Sequence, residues 1–428
     1  MADFDVIVVG AGPAGATAAY ELAKAGKSVL VVERGNFAGS KNMTGGRIYT
    51  HSLAQVFPDF KDTAPLERQI THERISMMAP DANFTIDFSS EQLNAAGAES
   101  YSVLRASFDQ WLAEQAEDAG AECIYGIPVE ALLKEGSRVT GVRAGEDEIT
   151  AELVILADGC NSLLTEQAVG APRPKADQMA VGIKQVIGLP ENVIEDRVLA
   201  SAGEGAAWLF VGDTTKGHVG GGFIYTNKES ISIGLVATIS DLARAKTPIY
   251  QMLEDFKQRP EIAPLLKGGE PLEHSGHMVP EGGLKMMPKL CADGVLLAGE
   301  SAMMCVNLGY QVRGMDYAIA AGMHAGRTAA AALDKGDTSE ATLAAYQEAL
   351  QSSFVLQDLQ QFQRFPHYME QTTRLFNEYP IMLRDILNGL FVVNGEPVKP
   401  LKQQVMPSVK QVGLMNILKD VRGAMNSL

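Results

Sequence analysis

MADFDVIVVGAGPAGATAAYELAKAGKSVLVVER, residues 1–34, is the stretch that decides the fold. Residues 4–9 are a short apolar run with the β-branched content of a buried strand. Gly10, Gly12 and Gly15 follow directly, in G-x-G-x-x-G spacing. The pattern predicts a helix over 14–25 and a second buried strand over 28–32, which ends at Glu33. Gly10 permits a tight turn, and Gly12 has no side chain to block a pyrophosphate. Gly15 lets helix and strand pack closely, while the helix N-terminus offers free N–H groups and partial positive charge. Glu33 sits where a carboxylate accepts both ribose hydroxyl protons of an adenosine. Strand, glycines, helix, strand and acid in this order predict dinucleotide binding; the plainer reading is a glycine-rich turn that binds nothing.

The chain has 428 residues, enough for two or three lobes around a substantial core. Its 36 basic and 52 acidic side chains leave a formal charge of −16. That disfavours nucleic-acid binding, which needs a basic face, so no nucleic acid is expected as a partner. Any membrane contact must be mainly apolar. Residues 396–428 reverse the sign locally, with Lys399, Lys402, Lys410, Lys419 and Arg422 against Glu396 and Asp420. No signal peptide is expected ahead of the first strand, nor any membrane-spanning run. Cys123, Cys160, Cys291 and Cys305 are scattered, without C-x-x-C spacing. Neither zinc nor an iron–sulfur cluster is expected from them, and isolated thiols fit the reducing cytoplasmic side. His274 and His277 are three apart, with no third ligand nearby in sequence, so they read as ordinary polar residues and no metal is expected.

Strand patterns recur at 71–88, 121–130, 138–144 and 148–156, the last three resembling a meander that ends at Ala157, Asp158 and Gly159. Residues 101–119 read as a strand end and a helix. From 179 to 238 the pattern is mostly short strands separated by turns, as in an antiparallel sheet. Helices are predicted over 249–258 and 314–333, around a buried strand at 294–298 that runs into Gly299 and Glu300. The remainder is predominantly helical. The expected fold class is α/β: a discontinuous Rossmann-like lobe (1–75, 100–175 and 285–335), an inserted antiparallel-sheet lobe (76–99 and 176–284) and a C-terminal helical region (336–428).

Three strand ends carry glycines and acids: Gly10, Gly12 and Gly15 with Glu33, Asp158-Gly159, and Gly299-Glu300. Open α/β sheets bind ligands beyond the carboxyl ends of their strands, so three such ends suggest one extended ligand. Singly, Asp158 reads as a turn former and Glu300 as a helix-cap neighbour.

These motifs, in this order, resemble the flavoprotein group typified by p-hydroxybenzoate hydroxylase. Within it the chain resembles FixC-type members of the electron-transfer-flavoprotein:quinone oxidoreductase family. The matching stretches are GSKNMTGGR (39–47), YSVLR (101–105), LADG (156–159), GGGFIYTNK (220–228), HMVPEGG (277–283), NLG (307–309) and RGMD (313–316). The resemblance implies non-covalent FAD. Gly10, Gly12, Gly15 and Glu33 would take its ADP half, with Arg105 near the pyrophosphate. Asp158 and Gly159 would close the adenosine side, and Gly299 and Glu300 would meet the ribityl–pyrophosphate region. Lys41, Met43, Thr44 and Gly45, in the loop 41–47, would lie near the isoalloxazine ring. Pro13, Ala14, Arg34, Val129, Gly309 and Val312 complete the implied cofactor-binding set. One departure stands out: the family usually reads G-D-A-A-G where this chain has GESAM (299–303), so Glu300 adds a methylene and Met303 replaces a small residue.

No acid–base pair or nucleophile stands out, which fits electron transfer, where the cofactor carries the chemistry. A second G-x-G-x-x-G for a nicotinamide is absent. The resemblance implies that a heterodimeric electron transfer flavoprotein reduces the FAD, which then reduces a membrane quinone. It also implies a separate ferredoxin-like iron–sulfur subunit and an electron-bifurcating assembly, peripheral at the cytoplasmic side of the inner membrane. Apolar stretches at 362–393 and 413–428 are candidates for the membrane contact; core or subunit-interface helices explain them equally. The alternatives are a geranylgeranyl-reductase-like FAD enzyme, a flavin monooxygenase, or an assembly subunit with poor flavin retention.

Overall fold

Two sheets carry the fold, and the first is built around the strand Phe4–Val9. A computed structural model describes residues 2–41 and 46–428. In it Phe4–Val9 pairs in parallel with Val29–Glu33 on one side and Asp147–Leu156 on the other. Glu122–Tyr125 extends the sheet beyond the former, and Val295–Leu297 beyond the latter, both in parallel. Val6, Ile7, Val8 and Leu153 to Leu156 are fully buried, as expected of strands covered on both faces. Burying each such side chain contributes roughly 1.5–3 kcal/mol, so the strand order is held by the core rather than by any one contact.

Helix Pro13–Lys24 packs against helix Met315–Asp334. The contact is close because the facing residues are small. A Cβ added at Gly322 would stand 2.2 Å from the Ala14 carbonyl oxygen. The last long helix of the first lobe is thereby pressed onto the helix that follows the glycine turn, joining residues some 300 positions apart.

The meander differs from expectation at its first strand. Glu122–Tyr125 belongs to the edge of the parallel sheet, whereas Val129–Glu135, Arg138–Ala144 and the start of Asp147–Leu156 form the antiparallel meander. Gly126 and Pro128 divide what the apolar pattern merged, since proline cannot donate to a ladder.

The second sheet runs in the order Glu270–Pro280, Met179–Gly188, Ser230–Thr238, Gly220–Thr226, Glu204–Gly212, Leu66–Ala79, Ser100–Val103 and Arg47–Tyr49, with Ala82–Ser89 also paired to Leu66–Ala79. Its pairings are antiparallel except that Glu204–Gly212 lies parallel to Leu66–Ala79. On one face Ile183, Phe210, Ile224, Ile233 and Leu235 pack with Met252, Leu253 and Phe256 of helix Ile249–Lys257. Phe223 and Tyr225 lie on the other face and are stacked, with ring centroids 5.4 Å apart.

The C-terminal region is helical, as expected. The apolar stretch 362–393 divides into Phe365–Gln371, a short turn Thr373–Leu375 and Glu378–Phe391; Leu401–Val412 and Leu414–Ser427 follow. Arg374 ties the last helix down, donating to both Asp420 carboxylate oxygens at 2.7 and 2.6 Å. Among the described residues, no helix is long and apolar enough to cross a membrane.

Candidate cofactor site

A cavity of about 810 Å³ is lined from both sheets and from the C-terminal helices. That volume falls in the range of small-molecule and cofactor sites. Gly10, Gly12, Pro13 and Ala14 form one end of it. Pro13 takes the first helical position, where its missing N–H loses no intrahelical bond. The helix has no side-chain cap and no acid in its first turn, so its opening N–H groups face the cavity uncompensated. This is an anion cradle by construction. Gly15 lies behind the wall: a Cβ there would come within 1.9 Å of the Gly10 carbonyl oxygen, so any larger residue would push the turn into the cavity.

Glu33 borders the same end. Its Oε2 accepts the Ala11 N–H at 2.9 Å and its Oε1 accepts the Gly35 N–H at 2.7 Å. Two backbone donors therefore fix the carboxylate beside the glycine turn. Arg34, exposed, and Val129 line the wall next to it. The second strand end arrives through Asp158 and Gly159, both on the wall. Ser301 donates to Asp158 Oδ1 and accepts from Gly159 N–H, both at 2.9 Å. Burial holds the Asp158 carboxyl above its ordinary range, against the opposing bonds from Ser162 and Ser301.

Glu300 is on the wall, and Gly299 sits behind it, where an added Cβ would meet Ala14 Cβ at 2.8 Å. The Glu300 carboxylate lies 3.9 Å from His277 Nε2. Cys160 joins them, and the three ligand-type atoms lie within 4.8 Å of one another. Sequence spacing gave His277 no third neighbour; the fold brings two. The Cys160 thiol is nevertheless held protonated, pushed up by burial and by Glu300, and its Sγ donates to the Met278 carbonyl at 2.9 Å. Met303 packs against Cys160 and Met179, with a left-handed backbone, φ 59°.

Arg105 and Asp109 are buried on the wall and paired along their helix, with Arg105 Nε and Nη2 donating to the two carboxylate oxygens at 2.7 Å each. Lys41 lines the wall from an exposed position, while Met43, Thr44 and Gly45 lie outside the described residues. Gly46 and Arg47 continue the wall, and Arg47 is held by Glu73 and stacked over Tyr49 at 4.4 Å. Gly309 and Val312 line the turn between Val306–Asn307 and Val312–Arg313. Next to them Arg313 donates to Asp316 and Asp358 at 2.8 and 2.9 Å.

The far end of the cavity is apolar. Ile75, Met77, Leu209 and Val211 of the second sheet line the cavity together with Phe365, Met369, Leu375 and Phe376 of the C-terminal region. Glu281 also lines the cavity, beside Phe365 and Pro366. Burial, more than the neighbouring Glu370, pushes its carboxyl up to about 7. Sequence reasoning did not single out Glu281 or Ser301. Both lie inside stretches that had been noticed, HMVPEGG and GESAM, but their chemistry depends on partners distant in the chain.

The arrangement suits FAD: a bare helix N-terminus for a diphosphate, a tethered carboxylate for a ribose, and an elongated cavity leading to an apolar end. Comparison with known proteins agrees. Residues 5–173 match the FAD dependent oxidoreductase family, and residues 365–428 match the ETF-QO/FixC family C-terminal domain. The chain is 50% identical over 422 residues to the probable electron transfer flavoprotein-quinone oxidoreductase YdiS of Escherichia coli K12, covering 98% of each. It is 47% identical over 417 residues to the protein FixC of Salmonella typhi, covering 97% of each. In fold it resembles a geranylgeranyl bacteriochlorophyll reductase-like protein from Thermoplasma acidophilum (TM-score 0.70, 19% identity, 98% of this chain and 99% of that one). It also resembles the flavin-dependent brominase Bmp2 (TM-score 0.65, 17% identity, 96% and 99%).

Proposed function

The chain belongs to the ETF-QO/FixC family and is an FAD-dependent oxidoreductase of electron transfer; from that premise we propose that it carries electrons from a heterodimeric electron transfer flavoprotein to a membrane quinone. One observation carries this reading above the others. The family's C-terminal domain, residues 365–428, supplies Phe365, Met369 and Phe376 to the apolar end of the cavity that begins at the glycine turn. A cofactor bound there would have its phosphates at one lobe and its ring facing an apolar chamber suited to a quinone.

Bound FAD supplies the redox chemistry. The protein's share is position. In this proposal Gly10, Gly12, Pro13 and Ala14 hold the diphosphate, Glu33 the adenosine ribose, and Asp158, Gly159 and Glu300 the middle of the molecule. Arg47, Gly309 and Val312 would border the ring. The iron–sulfur centre belongs to a separate ferredoxin-like subunit, since the four cysteines of this chain lack C-x-x-C spacing, and the assembly bifurcates electrons.

Attachment to the cytoplasmic face of the inner membrane is part of the same proposal. Phe391, Val392, Val393, Leu414, Met415, Leu418, Val421 and Met425 are exposed in the C-terminal region, with Lys410, Lys419 and Arg422 nearby in sequence. Apolar residues flanked by cations suit a lipid interface.

The test is quinol formation on vesicles by the purified chain with its cognate electron transfer flavoprotein. Formation that requires both proteins supports the proposal. Oxygen-dependent NADPH consumption, or saturation of a prenyl double bond without the flavoprotein, overturns it in favour of a monooxygenase or a prenyl reductase.

A further inference from the structure

Resting on the functional reading above, we propose that Glu281 delivers a proton into the cavity, beside Phe365 and Pro366, when the quinone is reduced. Glu281 follows the strand Glu270–Pro280, and its N–H donates to the Gln178 carbonyl at 2.8 Å, which fixes the backbone at that point. The residue lines the cavity half-buried, beside Cys305, Asn307, Phe365 and Pro366. The Asn307 side chain hydrogen-bonds to it. In these surroundings, burial favours the neutral acid, so that its titration falls near 7. An acid poised there both takes up and releases protons at cellular pH.

Two further groups bear on it. The Cys305 thiol is pushed well above its ordinary range by burial and then by Glu300 and Glu281, and it donates to the Pro280 carbonyl at 3.1 Å. It is therefore no competing proton source. Glu370 is exposed on helix Phe365–Gln371, acts electrostatically on Glu281, and lines the same cavity. It gives a route from solvent: Glu370, then Glu281, then the chamber.

The balance requires such a group. A quinone becoming a quinol gains two electrons and two protons. Both electrons and one proton, a hydride equivalent, would be supplied by the flavin when bound and reduced, leaving it oxidised. The Glu281 carboxylic acid gives the second proton to the quinone oxygen and is left a carboxylate. A solvent proton entering by Glu370 restores it.

The test uses the full-length flavin-loaded chain, with Glu281→Gln, Glu281→Asp and Glu370→Gln. The protein is first reduced and then reoxidised in a single turnover by a quinone analogue or by ferricenium, which takes electrons without protons. Wild-type reoxidation by quinone should slow as pH rises through about 7, and Glu281→Gln should be slower by roughly tenfold or more, with no such pH dependence. Glu281→Asp should regain a pH-dependent rate, and Glu370→Gln should slow re-protonation between turnovers. Ferricenium rates should be unchanged in all. Infrared difference spectra between about pH 5.5 and about pH 8.5, without turnover, should show a carboxylic C=O band lost in wild type and missing from Glu281→Gln. Wild-type rates and pH profile in Glu281→Gln overturn the proposal, as does a Glu281 already ionised at the lower pH. Reoxidation of wild type by ferricenium but never by quinone instead removes the acceptor, and the functional reading falls with it.

Discussion

Ser301 donates its hydroxyl proton to Asp158 Oδ1 at 2.9 Å, joining two strand-end turns that lie 143 residues apart. Ser301 Oγ in turn accepts the Gly159 N–H at 2.9 Å. One fully buried hydroxyl thus sets the second and third strand ends against each other on the cavity wall. Ser301→Ala leaves a buried carboxyl and a backbone N–H each short of a partner, which costs about 1–3 kcal/mol. Chemical denaturation of the apoprotein should show that loss, and fluorescence titration should show weaker FAD binding.

Met303 holds a left-handed backbone that favours glycine, yet its side chain is buried beside Cys160 and Met179. Burial of the thioether contributes about 1.5–3 kcal/mol, enough to offset roughly 1–2 kcal/mol of backbone strain. Met303→Ala removes the contact and keeps the strain; Met303→Gly removes both. Glycine should therefore be the less damaging replacement by about 1 kcal/mol, the reverse of the usual order in helices and strands. Urea midpoints of the two variants decide it.

The half-buried Glu281 makes stability depend on pH. Its carboxyl titrates near 7 in the folded chain against an ordinary value of 4.5. Between those values the folded state keeps a proton that the unfolded state has released, so stability falls as pH rises through that window. The difference in unfolding free energy between wild type and Glu281→Gln should change by up to about 3 kcal/mol in favour of the variant. Paired denaturation curves at both ends of the window measure it. Parallel pH dependences for the two proteins contradict the burial of an ionisable group there.

The C-terminal helices present a separable surface. Leu418 and Met425 are exposed on Leu414–Ser427, away from the cavity lining. Leu418→Asp with Met425→Asp should abolish co-flotation with lipid vesicles while leaving FAD content unchanged. Retained flotation contradicts a membrane role for this helix.

The first βαβ unit was legible because its signals are local: an apolar run, three glycines and Glu33 all fall within one turn and two strands. The C-terminal helices were legible from period and composition in the same way. What escaped depends on distance along the chain. Nothing near Glu204–Gly212 announces that it will pair in parallel with Leu66–Ala79, because that register is set by a shared core. The edge strand Glu122–Tyr125 was merged into the meander because the apolar pattern runs on past it, and only Gly126 and Pro128 mark the break. At the site, the glycines and acids were named from their motifs, but the approach of His277 to Cys160 and Glu300 arises only when the second sheet docks. Met303 was recognised as a departure, though the left-handed backbone that makes it consequential belongs to the folded turn.

Electron flow through the cavity is tested most directly by following flavin absorbance in the anaerobic, purified chain. Addition of reduced electron transfer flavoprotein should bleach the bound flavin, and a quinone analogue should then restore its colour. A chain that holds no flavin, or one bleached by NADPH but not by the flavoprotein, contradicts the account.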